Sequence, residues 1–301
     1  MKIDDLEAFV AVVRCHSLSQ AAHELGLTQP AITRRIQSLE EALGVALLDR
    51  NTKPPKPTEI GRRVREQCSA VLREIDVLHD LVAADLPPSG GVRLGVTQGI
   101  GEVVLLDVLQ DLRASWQGLA PQVATGLGGQ ALLERVEREE LDAAVVFLAR
   151  GVQPPRTLEG RRLASTHLVV VGRKADWPRR QYRLADCSEH GWVLNPDGCG
   201  FRANLKRALA AQNLPFHVKL DTYGRELQLQ SVAQGLGLGL VPLPLLAHSA
   251  HRDALCAVPV RDFKPVIDLW LAHGPSLGRL QEPVARSGER IAEIFSRLGA
   301  R

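Results

Sequence analysis

The sequence predicts a multidomain chain in three parts. These are an all-α N-terminal domain with a basic loop, one long helix, and an α/β region that fills the rest. Three observations carry this. Residues 17–44 read as two short helices around a glycine turn. From Glu59 apolar residues recur at threes and fours. After Gly91 short apolar runs alternate with helical stretches. At 301 residues the chain is also too long for one ordinary core.

The opening helix covers residues 3 to about 15, with Ile3, Leu6, Phe9, Val10 and Val13 on its inner side. Ser17 is a good N-cap for the second helix, and Gly26 ends it, because glycine takes a left-handed backbone without strain. Thr28 caps the third helix, and Pro30 sits in its first turn, where a missing N–H costs nothing. Ile32, Ile36 and Leu39 share one apolar stripe. Pro30, Arg34 and Gln37 lie opposite, with Thr33 and Ser38 on the flanks. Arginine, carboxamide and hydroxyl groups are the side chains that read base edges in a major groove. A glycine turn between two such helices has helix-turn-helix geometry. Spacing alone fits an ordinary helical hairpin with a solvated face equally well.

Leu43, Val45, Leu47 and Leu48 are expected to carry the core into Asp49–Thr58. That segment has prolines at 54, 55 and 57 and bases at 50, 53 and 56, so it cannot be helical. It reads as a basic wing beside the third helix, or else as a solvated linker. From Glu59 to about Leu86, the residues Ile60, Val64, Cys68, Val71, Ile75, Leu78 and Val82 make a coiled-coil seam. A seam needs a partner, so dimerisation is expected here. A single long helix packed on its own domain is the alternative. A two-fold dimer would suit a near-palindromic double-stranded DNA operator.

Pro87–Gly91 is a hinge-like break. Strands are then expected at Val92–Val96, Gln122–Leu127 and Leu141–Phe147, with helices at Glu102–Trp116 and Gln130–Glu139, a pattern that implies a parallel sheet. Arg161–Leu163 and His167–Gly172 read as two strands in quick succession. Strands at Gly191–Leu194, His217–Leu220 and Leu238–Val241 follow, with helices from Phe201 and from Arg225. Asp268–Ala272 re-enters the first sheet and Glu282–Leu298 closes the chain.

Residues 1 to about 65 resemble the N-terminal domain of LysR-type transcriptional regulators. The residues that carry the likeness are Ala21, Ala22 and Leu25, then Thr28, Gln29, Pro30 and Ala31, then Thr33 and Arg34. Leu39, Glu40, Leu43 and Gly44 continue it, followed by Leu47, Leu48 and Arg50, and by Thr58 and Gly61. Pro57 departs from the pattern, which usually has leucine there. Val232–Pro242, VAQGLGLGLVP, resembles a further element of the family.

The resemblance implies a winged helix-turn-helix domain over residues 1–58, a linker and dimerisation helix over 59–88, and an effector-binding domain over 91–301. That last domain would be a two-lobed, periplasmic-binding-protein-like fold, with lobe I at about 91–165 and 266–301 and lobe II at about 166–265. It further implies a dimer of dimers. Gln29, Pro30, Thr33 and Arg34 would face bases, with Gln37 on the same DNA-binding face, and Thr28, Arg50, Lys53 and Lys56 would hold phosphates. If the protein is an activator, RNA polymerase is a further partner.

In open α/β sheets ligands gather at the carboxyl ends of strands. Those ends are glycine-rich or polar here. A small-molecule effector is therefore expected among Thr97, Gln98, Gly99, Gly128, Gly129 and Phe147 on one side. Asn195, Gly198, Cys199, Arg202 and Thr222 would face them. Arg202 and the helix N-termini hint at a carboxylate ligand.

Composition excludes other classes. No apolar run approaches the ~18 residues needed to span a bilayer. The N-terminus, MKIDDLEAF, has no apolar h-region, so a cytoplasmic protein without membrane contact is expected. Five cysteines at 15, 68, 187, 199 and 256 contain no CxxC pair, so neither a disulfide framework nor a metal site is expected. Cys199 could be reactive at a helix N-terminus, but no resolving cysteine follows nearby. His248 and His251 lack accompanying ligands. No cofactor and no enzymatic activity are expected.

Overall fold

The computed structural model describes residues 1–49, 52, 54–82, 87–178, 181–196 and 200–299. They form two compact units, Met1–Leu86 and Pro87–Arg301.

The first unit holds α1 (Ile3–Cys15), α2 (Leu18–Glu24) and α3 (Gln29–Leu43), then a hairpin of β1 (Leu48–Asp49) and β2 (Lys56–Pro57), then α4 (Glu59–Val82). The Ser17 and Thr28 hydroxyls accept from the N–H groups of Gln20 and Ala31, so both expected N-caps form. Gly26 and Gly44 are left-handed at φ 63° and 69°. Phe9, Val12, Ala21, Ile32, Leu39 and Leu47 are fully buried and make the core. Ile3, Leu43 and Val45 are exposed, contrary to the pattern. Ile3 begins α1, and the turn at Gly44 carries its two neighbours away from the core.

The wing is anchored by two motif residues. The Glu40 carboxylate accepts from the N–H groups of Leu47 (2.7 Å) and Leu48 (3.1 Å). The Thr58 hydroxyl donates to the Ala46 carbonyl at 3.0 Å and accepts from the Gly61 N–H. Gly61 lets α4 lie directly on the Leu47 carbonyl, where a Cβ would collide. The stripe on α4 divides. Cys68 is buried on the unit's own core with Val64 and Leu72 beside it. Ile60, Val71 and Leu78 face outward, Leu78 at 63% exposure. The side chain of Val82 lies outside the described residues.

The second unit continues with β3 (Gly90–Val96), α5 (Gln98–Ser115), β4 (Leu119–Ala124), α6 (Gly129–Glu137), β5 (Ala143–Ala149) and β6 (Glu159–Arg173). Then come α7 (Leu184–Ser188), β7 (Trp192–Leu194), α8 (Gly200–Ala211), β8 (Val218–Asp221) and α9 (Arg225–Ala233). The chain ends with β9 (Gly239–Pro242), α10 (Leu243–Leu246), β10 (Leu255–Val258), β11 (Val266–His273) and α11 (Gln281–Gly299).

The two strands expected at 161–163 and 167–172 are one strand, β6. Its first half pairs with β11 and its second half with β9 and β10. The polar Ser165 and Thr166 between the two apolar runs hide this continuity from a reading based on apolar runs. The sheet is also mixed rather than parallel. β3 is parallel to β4 and β5, but β11 runs antiparallel to β5 and β6. In the other half β7 and β8 are parallel. Lobe I thus carries β3, β4, β5 and β11, with α5 and α11 on one face and α6 on the other. Lobe II carries β7 to β10 with α7, α8 and α9. The glycines after α9 end the helix and let the next strand pack closely. Gly235 turns at φ 80°, and a Cβ on Gly237 would meet the Gly191 carbonyl at 2.8 Å.

On lobe I, Arg286 of α11 grips Asp111 of α5 through two bonds of 2.8 and 2.9 Å. The bond from Arg286 holds the Asp111 carboxyl below the usual carboxylate range. A depressed carboxylate contributes stability above its unfolded pKa of ~3.9 and loses it as pH falls through the lower folded value. Melting temperatures measured from pH 7 to pH 2.5 should therefore show Arg286→Gln below wild type near neutrality, with the gap closing at the acid end. Gly61→Ala should destabilise the first unit by ~1–3 kcal/mol through overpacking. Urea denaturation checks this, with Gly91→Ala, where a Cβ meets nothing within 4 Å, as the neutral control.

Candidate nucleic-acid interface and ligand cleft

On α3 the apolar stripe is buried, so its polar face is presented by elimination. Thr28, Gln29, Pro30, Arg34 and Gln37 are exposed. The Gln29 amide oxygen accepts from Ser19 at 3.0 Å, and the Thr33 hydroxyl donates to the Gln29 carbonyl at 3.0 Å. Thr33 therefore offers its methyl group rather than a free hydroxyl. Arg35, the neighbour of Arg34, is turned away to Asp4 at 2.9 Å. Among the described residues nothing pairs with Arg34. Lys56 is exposed on β2. Arg50 and Lys53 lie outside the described residues.

In the second unit a cavity of about 400 Å³ opens between the two lobes. That is within the range of small-molecule sites. The N-terminal residues of α5, α6, α8 and α9 all line it. Thr97, Gln98 and Gly99 come from the end of β3 and the start of α5, and Gly128 and Gly129 from the start of α6. Phe147 comes from β5 and Asn195 from the end of β7. Neither Thr97 nor Gly128 caps its helix with a side chain. The Thr97 hydroxyl and the Asn195 amide oxygen are buried without a hydrogen-bond partner among the described residues. Phe147 meets Phe201 of α8 across the cleft, ring centroids 5.6 Å apart.

Two expected residues lie off the wall. Arg202, in the first turn of α8, pairs with Asp221 and donates to the Asn195 carbonyl at 3.2 Å. Thr222 is 2% exposed, and its N–H completes the β7–β8 ladder by bonding Leu194. Gly198 and Cys199 lie outside the described residues. Conversely, Tyr223, Gly224, Arg225 and Gln228 line the cavity and were not anticipated. They stand just after β8, so the strand-end rule that picked Thr97 would have found them. Arg225 is 7% exposed and Gln228 2%, with the Gln228 amide donating to the Val193 carbonyl at 2.8 Å.

The four described cysteines are free thiols. Burial raises the pKa of Cys68 and Cys256, and of Cys15 with help from Glu24; it pushes Cys187 up to about 12. High thiol pKa values oppose nucleophilic or redox chemistry. Among the described residues no group of histidine, cysteine and carboxylate side chains could hold a metal ion, and no helix is long and apolar enough to cross a membrane.

A helix-turn-helix with a presented polar face, together with a two-lobed α/β domain around a ligand-sized cleft, defines a ligand-responsive DNA-binding regulator. Comparison with known proteins gives the family. Residues 3–62 match the bacterial regulatory helix-turn-helix protein model of the lysR family, and residues 86–285 match the LysR substrate binding domain. The chain belongs to the LysR family of transcriptional regulators. It is 27% identical to the RuBisCO operon transcriptional regulator of Allochromatium vinosum, over 99% of each chain. It is 26% identical to the regulator CzcR of Bacillus subtilis, over 86% of each. A full-length OxyR variant from Pseudomonas aeruginosa has the same fold, with a TM-score of 0.77 at 20% identity, covering 98% of this chain and 94% of that one. CbnR complexed with its target DNA matches at a TM-score of 0.57 and 18% identity, covering 98% of this chain and all of the other.

If the raised thiol pKa values govern reactivity, iodoacetamide at pH 7.5 should leave Cys68 and Cys187 unlabelled in the native protein and modify both after urea denaturation. Peptide mass mapping reads the outcome.

Proposed function

We propose that the polar face of α3 reads the operator and that the cavity between the lobes is the effector site. The observation that carries the first half is the exposed, unpaired Arg34 on a helix whose other face is locked in the core. Gln37, Gln29, Pro30 and the Thr33 methyl complete the base-facing set. Thr28, Arg50, Lys53 and Lys56 would hold phosphates. The outward stripe of Ile60, Val71 and Leu78 on α4 supports a helical dimer on a near-palindromic site, and the family supports a dimer of dimers. The protein would work in the cytoplasm, contact RNA polymerase if it activates, and carry out no catalysis.

The effector would be a small molecule with an apolar body and one polar or anionic end. Phe147, Phe201, Ile100 and Leu240 support the apolar part. The uncapped first turns of α5 and α6, with the unpartnered Thr97 hydroxyl, support the other end. Arg202 no longer supports a carboxylate, because Asp221 occupies it.

The test pairs genome-wide binding of the tagged protein with a small-molecule melting screen. Arg34→Ala should erase the sharp peaks seen with wild type, since an arginine–guanine contact discriminates by ~1–3 kcal/mol. Peaks unchanged in that variant would refute the α3 assignment. Thr97→Val and Phe147→Ala should keep the peaks but lose the melting shift given by any effector the screen finds. A retained shift would place the effector elsewhere.

A further inference from the structure

Arg225 opens α9 on lobe II, yet its partners belong largely to elements packed in lobe I. Its guanidinium lies 3.2 Å from the Glu102 carboxylate of α5, and its Nη1 donates to the Leu245 carbonyl of α10 at 3.2 Å. Leu245 itself sits in the core that α5, α11, β3 and β5 share. Glu226, the next residue, sits 2.6 Å from the same guanidinium and accepts from the Ser249 hydroxyl at 3.1 Å. Glu102 also accepts from the Arg225 backbone N–H at 3.2 Å. α9 has glycine as its N-cap and no side-chain cap of its own, so a carboxylate from the opposite lobe does that work. A negative group at a helix N-terminus is the favourable arrangement.

The approach is close. Gly224 has φ 96°, and a Cβ there would lie 2.7 Å from the Gln98 amide nitrogen and 3.2 Å from Glu102. Any other residue there would be strained by the left-handed φ and would push aside the ends of the Gln98 and Glu102 side chains. The Arg225 side chain is 7% exposed and that of Glu102 25%, so the pair is screened less by salt than a surface pair. Gln98, Gly224 and Arg225 also line the cavity.

We propose that Arg225 and Glu102 form a latch that holds the two lobes together across the cleft. This rests on reading the cavity as the effector site for its regulatory meaning, although the latch is testable without any effector. The two residues act as positioning residues. They set the distance between the first turns of α5 and α9, which are two walls of the cavity. A molecule that seats between those turns touches the latch directly. It shifts lobe closure to the extent that it binds the latched and unlatched forms differently.

Hydrogen exchange on the full-length protein without added ligand tests this. Removing Glu102 leaves the buried Arg225 guanidinium with Glu226 alone and takes the carboxylate from the first turn of α9. Glu102→Ala should therefore speed amide exchange roughly tenfold or more in the first turns of α5 and α9 and in α10. Amides of β3, β5 and β11 should stay as slow as in wild type. Should Glu102→Ala lose protection throughout, Glu102→Gln decides, because it keeps the shape and one acceptor oxygen. A smaller rise confined to the same three segments supports the latch. Unchanged protection at α9 in Glu102→Gln and in Arg225→Met overturns it. Loss of the effector-site reading would show instead as a melting shift that survives in Thr97→Val and Phe147→Ala, with the exchange pattern intact.

Discussion

The second unit depends on β6 being a single strand. Fifteen residues run from the lobe I sheet, where they pair with β11, into lobe II, where they pair with β9 and β10. The Leu168 N–H bonds the Pro265 carbonyl at 2.9 Å, so β6 and the chain entering β11 stay together through the crossing. A strand cannot be lengthened or sheared locally without breaking its ladder on both sides. A movement of the lobes that kept these ladders intact would be a rotation about this pair, not a slide. Asp268, 2% exposed beside the crossing, is held by the Ser165 hydroxyl at 2.5 Å, so even the polar group at the hinge is satisfied.

The first unit has an equivalent constraint in the short path from α3 to α4. Glu40, Thr58 and Gly61 act on the same stretch, Ala46 to Leu48. Glu40 fixes it from α3, Thr58 from the end of the wing, and Gly61 permits the close approach of α4. The three residues look unrelated in sequence, twenty-one positions from first to last. Together they fix where the wing starts relative to the third helix. This gives a physical meaning to motif letters that, on the polar face of a helix or at a loop end, carry no packing signal.

Much of this was legible in the sequence, for reasons that differ by element. Ser17, Gly26 and Thr28 announced helix ends because capping is local chemistry. β3, β5 and α11 announced themselves by burial patterns. β6 announced itself only as two pieces, because Ser165 and Thr166 interrupt its apolar run while the backbone continues. The cleft was legible wherever a strand end met a glycine, hence Thr97, Gly128 and Gly129. Arg202 misled because an arginine beside such a loop looks available, and only the fold brings Asp221 against it. Arg225 was missed for the opposite reason. As the first residue of a helix it looks like a solvated charge, and its partners Glu102 and Leu245 are remote in sequence. Pairings of that range are invisible to periodicity.

Two of the contacts between the lobes lie on the wall of the cleft. The Phe147–Phe201 contact is of a kind worth ~0.5–1.5 kcal/mol beyond area burial. The Arg225–Glu102 pair is buried only on the arginine side, and the desolvation of that arginine offsets part of the Coulombic gain. Neither term is large, and both sit on the cleft wall. A difference of ~1.4 kcal/mol is already tenfold in an equilibrium constant. A ligand that gains only that much more from one closure than from another shifts the balance by that factor. On the proposed reading of the cleft as the effector site, wall-lining contacts of this size would leave closure open to modest differential binding.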